Sequence, residues 1–292
     1  MIQGSMVALI TPFNEDGSVN LKRQAELIDW HIENGTDAVL ILGTTAETPS
    51  LTAAEQEDIA RVSIDAANKR KPIIVGSGSN NSLVAKEKSL MFQEMGADGL
   101  LVITPYYNKT NKEGMIRHFT TVADEVKVPL YIYNVPGRTG CALTYDAVAE
   151  LSKHPMIAGV KEASGDMSFV VKISRLINEN FNIYSGNDDI TIPLMSVGGA
   201  GCISVLANVL PRETHDMAMA YINGDVKKAA DMQKKYLSFI NALFIETNPI
   251  PVKEAMNMAG LNVGGYRLPL YPMADDTREV LAGTMRDLGI IK

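Results

Sequence analysis

Cysteine is nearly absent from this 292-residue chain: there are two, Cys141 and Cys202, far apart and in no metal-ligand or redox spacing. Each reads as a small buried hydrophobe kept reduced, which excludes a disulfide scaffold and a thiolate metal site. Basic charge is also short. Lys and Arg total 27 against 34 Asp and Glu, a formal net charge of -7, so the basic face that nucleic acid requires is missing. No apolar run approaches the ~20 residues that span a bilayer, so no membrane partner is expected. The N-terminal Met1-Ile2-Gln3-Gly4-Ser5 has no basic stretch leading into an apolar one. No signal peptide is therefore expected, and the expected compartment is the cytoplasm. An anionic small molecule stays open as a partner, because one or two local cations hold a carboxylate.

What is present is a regular beat of short apolar runs and amphipathic stretches. Strands are expected at 6–10, 37–42, 72–76, 99–104, 129–135, 157–163, 182–185 and 201–205. They are rich in Val, Ile and Leu, and most are too continuously apolar to have one wet face, as parallel strands covered by helices are. Leu21, Ala25, Ile28 and Ile32 recur at helical spacing, and Thr52-Ala53-Ala54-Glu55 has the form of a capping box, repeated at Thr110-Asn111-Lys112-Glu113. Gly35, Gly96 and Gly199 fit helix stops before strands. Eight such units predict an α/β chain forming a closed (β/α)8 TIM barrel over residues 1–224. Beyond it, helices expected at 225–245, 252–258 and 276–288 form a C-terminal helical appendage, residues 225–292, packed on the barrel.

In such a barrel the site lies where the strands end. Lys161 sits in Ile157-Ala158-Gly159-Val160-Lys161-Glu162-Ala163, where alternation puts Ile157, Gly159 and Lys161 on one face and Ala158, Val160 and Glu162 on the other. One of the two charges must point into the barrel. A buried, unpaired ammonium loses pKa, and the neutral amine is then a nucleophile able to form an imine with a ketone. Gly159 is expected to leave room for it. Taken alone, a lysine at a strand end is as a rule one that snorkels to solvent. Tyr133 and Arg138 flank the loop Tyr133-Asn134-Val135-Pro136-Gly137-Arg138: a strand-end tyrosine moves protons, and an arginine on a Pro/Gly-shaped loop clamps a carboxylate. Each equally suits an ordinary core tyrosine and a solvated charge. Thr44 and Thr45, after Gly43 and before an expected helix, either hold an anionic oxygen or cap that helix.

Seven motifs in chain order resemble the 4-hydroxy-tetrahydrodipicolinate synthase family. They are Gly43-Thr44-Thr45-Ala46-Glu47, Val102-Ile103-Thr104-Pro105-Tyr106-Tyr107, Tyr133-Asn134-Val135-Pro136-Gly137-Arg138-Thr139-Gly140 and Val160-Lys161-Glu162-Ala163, then Tyr184-Ser185-Gly186-Asn187-Asp188-Asp189, Asn248-Pro249-Ile250-Pro251-Val252-Lys253 and Arg267-Leu268-Pro269. The resemblance implies a condensation of pyruvate with L-aspartate 4-semialdehyde in lysine biosynthesis, with no metal and no organic cofactor. It implies that Lys161 forms the imine, that Tyr133 shuttles protons with Thr44 and Tyr107, and that Thr45 and the backbone of Ile203 contact pyruvate. Arg138 would hold the carboxylate of the semialdehyde. Tyr107 would reach into a neighbouring subunit of a homotetramer. Other pyruvate aldolases of this fold, such as N-acetylneuraminate lyase or 2-keto-3-deoxy-sugar acid aldolases, share the lysine and tyrosine; Arg138 argues against them, and a non-catalytic keto-acid-binding barrel is a third reading.

Two departures from the family pattern stand out. Ala46 replaces a usual glycine, and would be strained if that position needs positive φ. The positions matching a lysine-feedback site are Thr48, Pro49, Ala53, Gln56, Asn80, Val84 and Tyr106. Sensitive members have an acid where Val84 stands, so weak or absent inhibition by lysine is expected.

Overall fold

A computed structural model describes residues 2–292. The strands are β1 Gly4–Ala8, β2 Ala38–Ile41, β3 Ile73–Gly76, β4 Gly99–Ile103, β5 Leu130–Asn134, β6 Ile157–Glu162, β7 Asn182–Ser185 and β8 Gly201–Ser204. The helices are α1 Leu21–Glu33, α2 Ala53–Ala67, α3 Ser82–Glu94, α4 Lys112–Ala123, α5 Pro136–Thr139, α6 Tyr145–Leu151, α7 Met167–Ser174, α8 Thr191–Met195, α9 Pro211–Ile222, α10 Val226–Ala242, α11 Ile250–Met258 and α12 Asp275–Asp287. Each strand pairs in parallel with the next, and β1 closes on β8. The barrel expected from the sequence is therefore what forms; β1 lies two residues earlier than expected, at Gly4–Ala8 rather than 6–10, and the other strands match or lose one residue at one or both ends.

Two apolar layers hold it. Met6, Ala8, Ala38, Leu40, Ile74, Leu101, Tyr131, Tyr133, Tyr184 and Ile203 fill the lumen. Val7, Val39, Ile73, Val102, Ile132 and Val160 face the helices, in a core that runs on through Phe239, Val252, Met256 and Leu281 of the C-terminal helices. The burial of both strand faces is why these runs read as continuously apolar. Among the described residues no helix is long and apolar enough to cross a membrane.

The local signals fared unevenly. Thr52 and Glu55 form the reciprocal capping box at α2. At α4 the cap lies one residue later than expected: Asn111, not Thr110, accepts the N–H of Gly114 at 2.9 Å. Gly35 and Gly96 adopt positive φ after α1 and α3, as helix stops do, whereas after α8 it is Gly198 rather than Gly199 that turns.

The alternation expected in β6 is broken. Leu130 pairs with Ile157 but Tyr131 pairs with Gly159, so Ala158 is the extra residue of a bulge. Ile157 turns outward into the helix layer, while Lys161 stays beside inward-facing Tyr133. Gly159 does not serve Lys161 either. A Cβ there would stand 2.4 Å from the Asn182 carbonyl oxygen and 3.3 Å from the Tyr184 ring. The glycine that gives the lysine its space is Gly186, whose Cβ would come within 3.1 Å of Lys161 Cε and 2.7 Å of Ala163 Cβ.

Candidate active site

Lys161 is 6% exposed, and its Nζ lies 4.5 Å from the centre of the Tyr133 ring. Its register partners are Tyr133 on β5 and Tyr184 on β7. Burial lowers its pKa to about 8; the nearby Asp188 carboxylate works the other way, and the Arg138 guanidinium adds to the lowering. The consequence is chemical. At pH 7 about one amine in ten is neutral, against about one in three thousand for an ordinary lysine.

An expected result follows for the free enzyme. The neutral amine is the reactive form, so kcat/KM for the keto acid that the resemblance implies should rise with pH and level off above an inflection near 8. A profile still climbing beyond pH 10, measured with a pH-independent coupling system, would show that the amine is not depressed.

Tyr133 is buried on the inner face of β5, and burial raises its pKa; Arg138 and a hydrogen bond with Thr44 pull it back. It therefore keeps its proton at neutral pH, available to donate. Thr44 opens a 3-10 turn, Thr44–Ala46, at the end of β2. Ala46 within that turn is not at positive φ. The left-handed residue is Glu47, at φ 55°, so the expected strain at Ala46 does not arise.

Thr45 is buried, and its Oγ1 accepts a hydrogen bond from Asn248 Nδ2 at 3.0 Å. The threonine proton is thereby left to donate elsewhere. Arg138 lies in the single turn α5, which starts at Pro136 and is anchored by the Thr139 hydroxyl donating to the Cys141 carbonyl at 2.8 Å. Its Nη2 donates to the Asn248 carbonyl oxygen at 3.0 Å. Ile203 is buried in the lumen, on β8 opposite Met6.

Thr44, Tyr133 and Arg138 line one cavity of about 380 Å³, together with Thr48, Tyr106 and Thr139. Lys161 adjoins it through Tyr133. Tyr107 does not join this group. It is 92% exposed, at φ 68°, and is not among the residues that line the cavity, as its neighbour Tyr106 is.

Four residues that sequence reasoning left without a role belong to the site or to its support. Asn248 ties Thr45 to Arg138, a link no local pattern announces. Asp188 is fully buried, with Oδ2 accepting the N–H groups of Val205 and Leu206 at 2.9 Å each. It fastens the end of β7 to the turn after Ile203 while placing charge near Lys161. Its pKa is raised by burial and lowered by those donors and Lys161. Lys253, on α11, is completely buried and bonds Glu47 at 2.8 Å, with its ammonium 4.2 Å from the centre of the Phe13 ring. Arg267 completes the brace, donating its N–H to Glu47 at 3.2 Å and its guanidinium to Glu55 and to the Ser50 carbonyl. The turn that carries Thr44 and Thr45 is thus fixed from behind by the C-terminal helices. Glu162, the other charge of β6, faces outward and accepts from Asn134 Nδ2 at 2.7 Å and from the Ser164 N–H at 2.6 Å.

Comparison with known proteins is consistent along the whole chain. A model of the dihydrodipicolinate synthetase family matches residues 1–288. The chain is 50% identical over 293 residues to a 4-hydroxy-tetrahydrodipicolinate synthase of Thermoanaerobacter sp. (strain X514), covering 100% of this chain and 98% of that protein. It is 47% identical to the corresponding protein of Clostridium perfringens (strain SM101 / Type A), with both chains covered in full. Among solved structures, the chloride-inhibited dihydrodipicolinate synthase from Acinetobacter baumannii, complexed with pyruvate, superposes with a TM-score of 0.97 at 41% identity, covering 100% of each chain.

Proposed function

The chain belongs to the dihydrodipicolinate synthetase family, and on that premise we propose how its residues perform the synthase reaction, joining pyruvate to L-aspartate 4-semialdehyde. The observation that carries the reading is the buried Lys161 amine beside the Tyr133 ring, its pKa lowered to about 8. Pyruvate enters with its carboxylate on the Thr45 hydroxyl, whose oxygen is already occupied by Asn248. The neutral amine attacks the keto carbon. Tyr133 passes a proton to the resulting alkoxide, water leaves, and a protonated imine remains. That cation withdraws electrons from the methyl group, which loses a proton to the Tyr133 phenolate left by the first transfer, giving the enamine and restoring the phenol. The enamine carbon attacks the aldehyde, whose oxygen takes a proton from the Tyr133–Thr44 pair. The amino group of the former semialdehyde then adds to the imine carbon, closes the ring and expels Lys161.

Arg138 would pair with the semialdehyde carboxylate, and its guanidinium is already oriented by Asn248. A bidentate clamp suits a short acidic aldehyde and offers nothing to a polyhydroxy chain. Pyruvate is supplied with aspartate semialdehyde or with sugar-derived aldehydes in a coupled assay. Only the semialdehyde should turn over, and Arg138→Leu should raise its KM by about tenfold to a hundredfold while leaving pyruvate KM nearly unchanged. Equal turnover of a sugar aldehyde would overturn the assignment.

Tyr107, next in sequence to the cavity-lining Tyr106 and 92% exposed, is the residue with which a second copy would complete the hydroxyl relay of Tyr133 and Thr44. The assembly we propose is a tetramer of two such pairs, in the cytoplasm, with residues 225–292 as the helical region braced on the barrel.

A further inference from the structure

Asp188 is held more firmly than a turn between β7 and α8 requires. Its Oδ2 accepts the N–H groups of Val205 and Leu206 after β8, and the Ser204 hydroxyl also favours its charged form. Its backbone carbonyl accepts Gln233 Nε2 of α10 at 2.9 Å, and Gln233 Oε1 accepts the Ile192 N–H of α8 at 3.1 Å. The residue is thus clamped from β8, α8 and α10. Oδ1 is different: it is buried and accepts no hydrogen bond. Native proteins seldom leave a carboxylate oxygen in that state. Gly186, two residues earlier, is the residue that lies against Lys161 Cε. Among the groups around the amine, Tyr133 and Tyr184 are phenols that burial keeps protonated, and burial likewise pushes the Cys202 thiol up. Arg138 opposes a second cation, and Asp188 favours one.

An amine that becomes an imine changes charge twice. The ammonium loses its proton before attack, and a cation returns to the same nitrogen when water leaves. In a buried lumen that second cation is costly unless a fixed opposite charge stands near it. We propose that Asp188 is a positioning residue for the reaction, the fixed counter-charge of the protonated imine on Lys161. The proposal rests on Lys161 being the imine-forming residue. The unpartnered Oδ1 then has a reason, because a donor there would offset part of the charge that the imine uses. The clamp has one as well: a carboxylate that cannot swing away needs no reorganisation when the cation forms. The same charge acts against the first step, since it holds more of the free amine protonated than burial alone would. Removing it should therefore move the two steps in opposite directions.

The test is Asp188→Asn, which keeps the side-chain shape and an oxygen for the Val205 and Leu206 N–H groups while removing the charge. In the variant the inflection of kcat/KM for pyruvate should move down from near 8 by about one pH unit or more. Borohydride trapping of the pyruvyl adduct is then read by mass at about pH 9, where the amine is mostly neutral in both proteins. The pyruvate concentration giving half-maximal trapping should rise by about tenfold or more, one decade for each unit by which the imine cation loses support. The variant thus has more neutral amine and yet less imine. Its melting temperature should hold, because asparagine removes a buried charge. Should Asp188→Asn not fold, Asp188→Ser, smaller and equally uncharged, is carried through the same measurements. Slack between β7 and β8 alone would lower kcat and leave the inflection in place. An inflection unmoved from near 8, or a half-trapping concentration within about twofold of the parent, overturns the proposal. Absence of the adduct from Lys161 of the parent overturns instead the imine assignment beneath it.

Discussion

In Lys161→Ala, kcat is expected to fall by about ten-thousand-fold or more, the scale on which removal of a covalent nucleophile acts, and the borohydride-trapped pyruvyl adduct should disappear. The fall is not one of folding. Lys161 is a buried amine whose ionised form is opposed by burial, so the native state carries a cost that alanine removes. Against this stands the space the side chain leaves beneath Tyr133. The melting temperature should therefore change little while activity collapses. Lys161→Arg should be no better, because a guanidinium stays protonated at any pH the protein survives. An adduct of undiminished yield in Lys161→Ala would place the imine on another lysine. The obvious rival is Lys253, whose pKa also falls to about 8; it is paired with Glu47 and sealed from the cavity, so it should not react.

Tyr133→Phe is the second large effect. The ring remains, so the packing against the Lys161 ammonium at 4.5 Å and the lumen core are kept. What is lost is one hydroxyl, the group bonded to Thr44. In the proposed mechanism that hydroxyl transfers protons in imine formation and again at the aldehyde oxygen, so kcat should drop by about a hundredfold to ten-thousand-fold. Thermal stability should stay within about 1 kcal/mol of the parent, the net worth of one hydrogen bond. Stopped-flow formation of the imine should slow in proportion. A variant retaining kcat to within about threefold would assign the proton traffic to water or to another residue. Thr44→Val, which removes the partner hydroxyl, should show a milder version of the same loss, and the two effects should not add.

The barrel was legible because burial on two faces writes itself as apolar runs, and a beat of eight closes only one way. The order of Lys161, Tyr133, Thr44, Thr45 and Arg138 along strand ends was legible for the same reason. What stayed hidden was set by distance or by a single backbone irregularity. The bulge at Ala158 inserts one residue into a ladder, and period-two counting cannot see it. Asn248 meets Thr45 across 203 residues of chain, and in the sequence it reads only as the polar residue before a helix-breaking proline. Ala46 looked like a strained replacement, yet the left-handed position is its neighbour Glu47. Tyr107 was placed by resemblance in another copy's site; within its own chain it is 92% exposed.

The brace behind Thr44 and Thr45 also has a meaning in time. Asn248, Lys253 and Arg267 lie in the last fifth of the chain, and the ribosome releases them last. A nascent chain that has delivered all eight strands still lacks the amide that seats Thr45, the carbonyl that aims Arg138 and the ammonium that anchors Glu47. Thr45, Arg138 and Glu47 are therefore held in place only when synthesis is nearly complete, and a chain truncated before Asn248 lacks all three contacts.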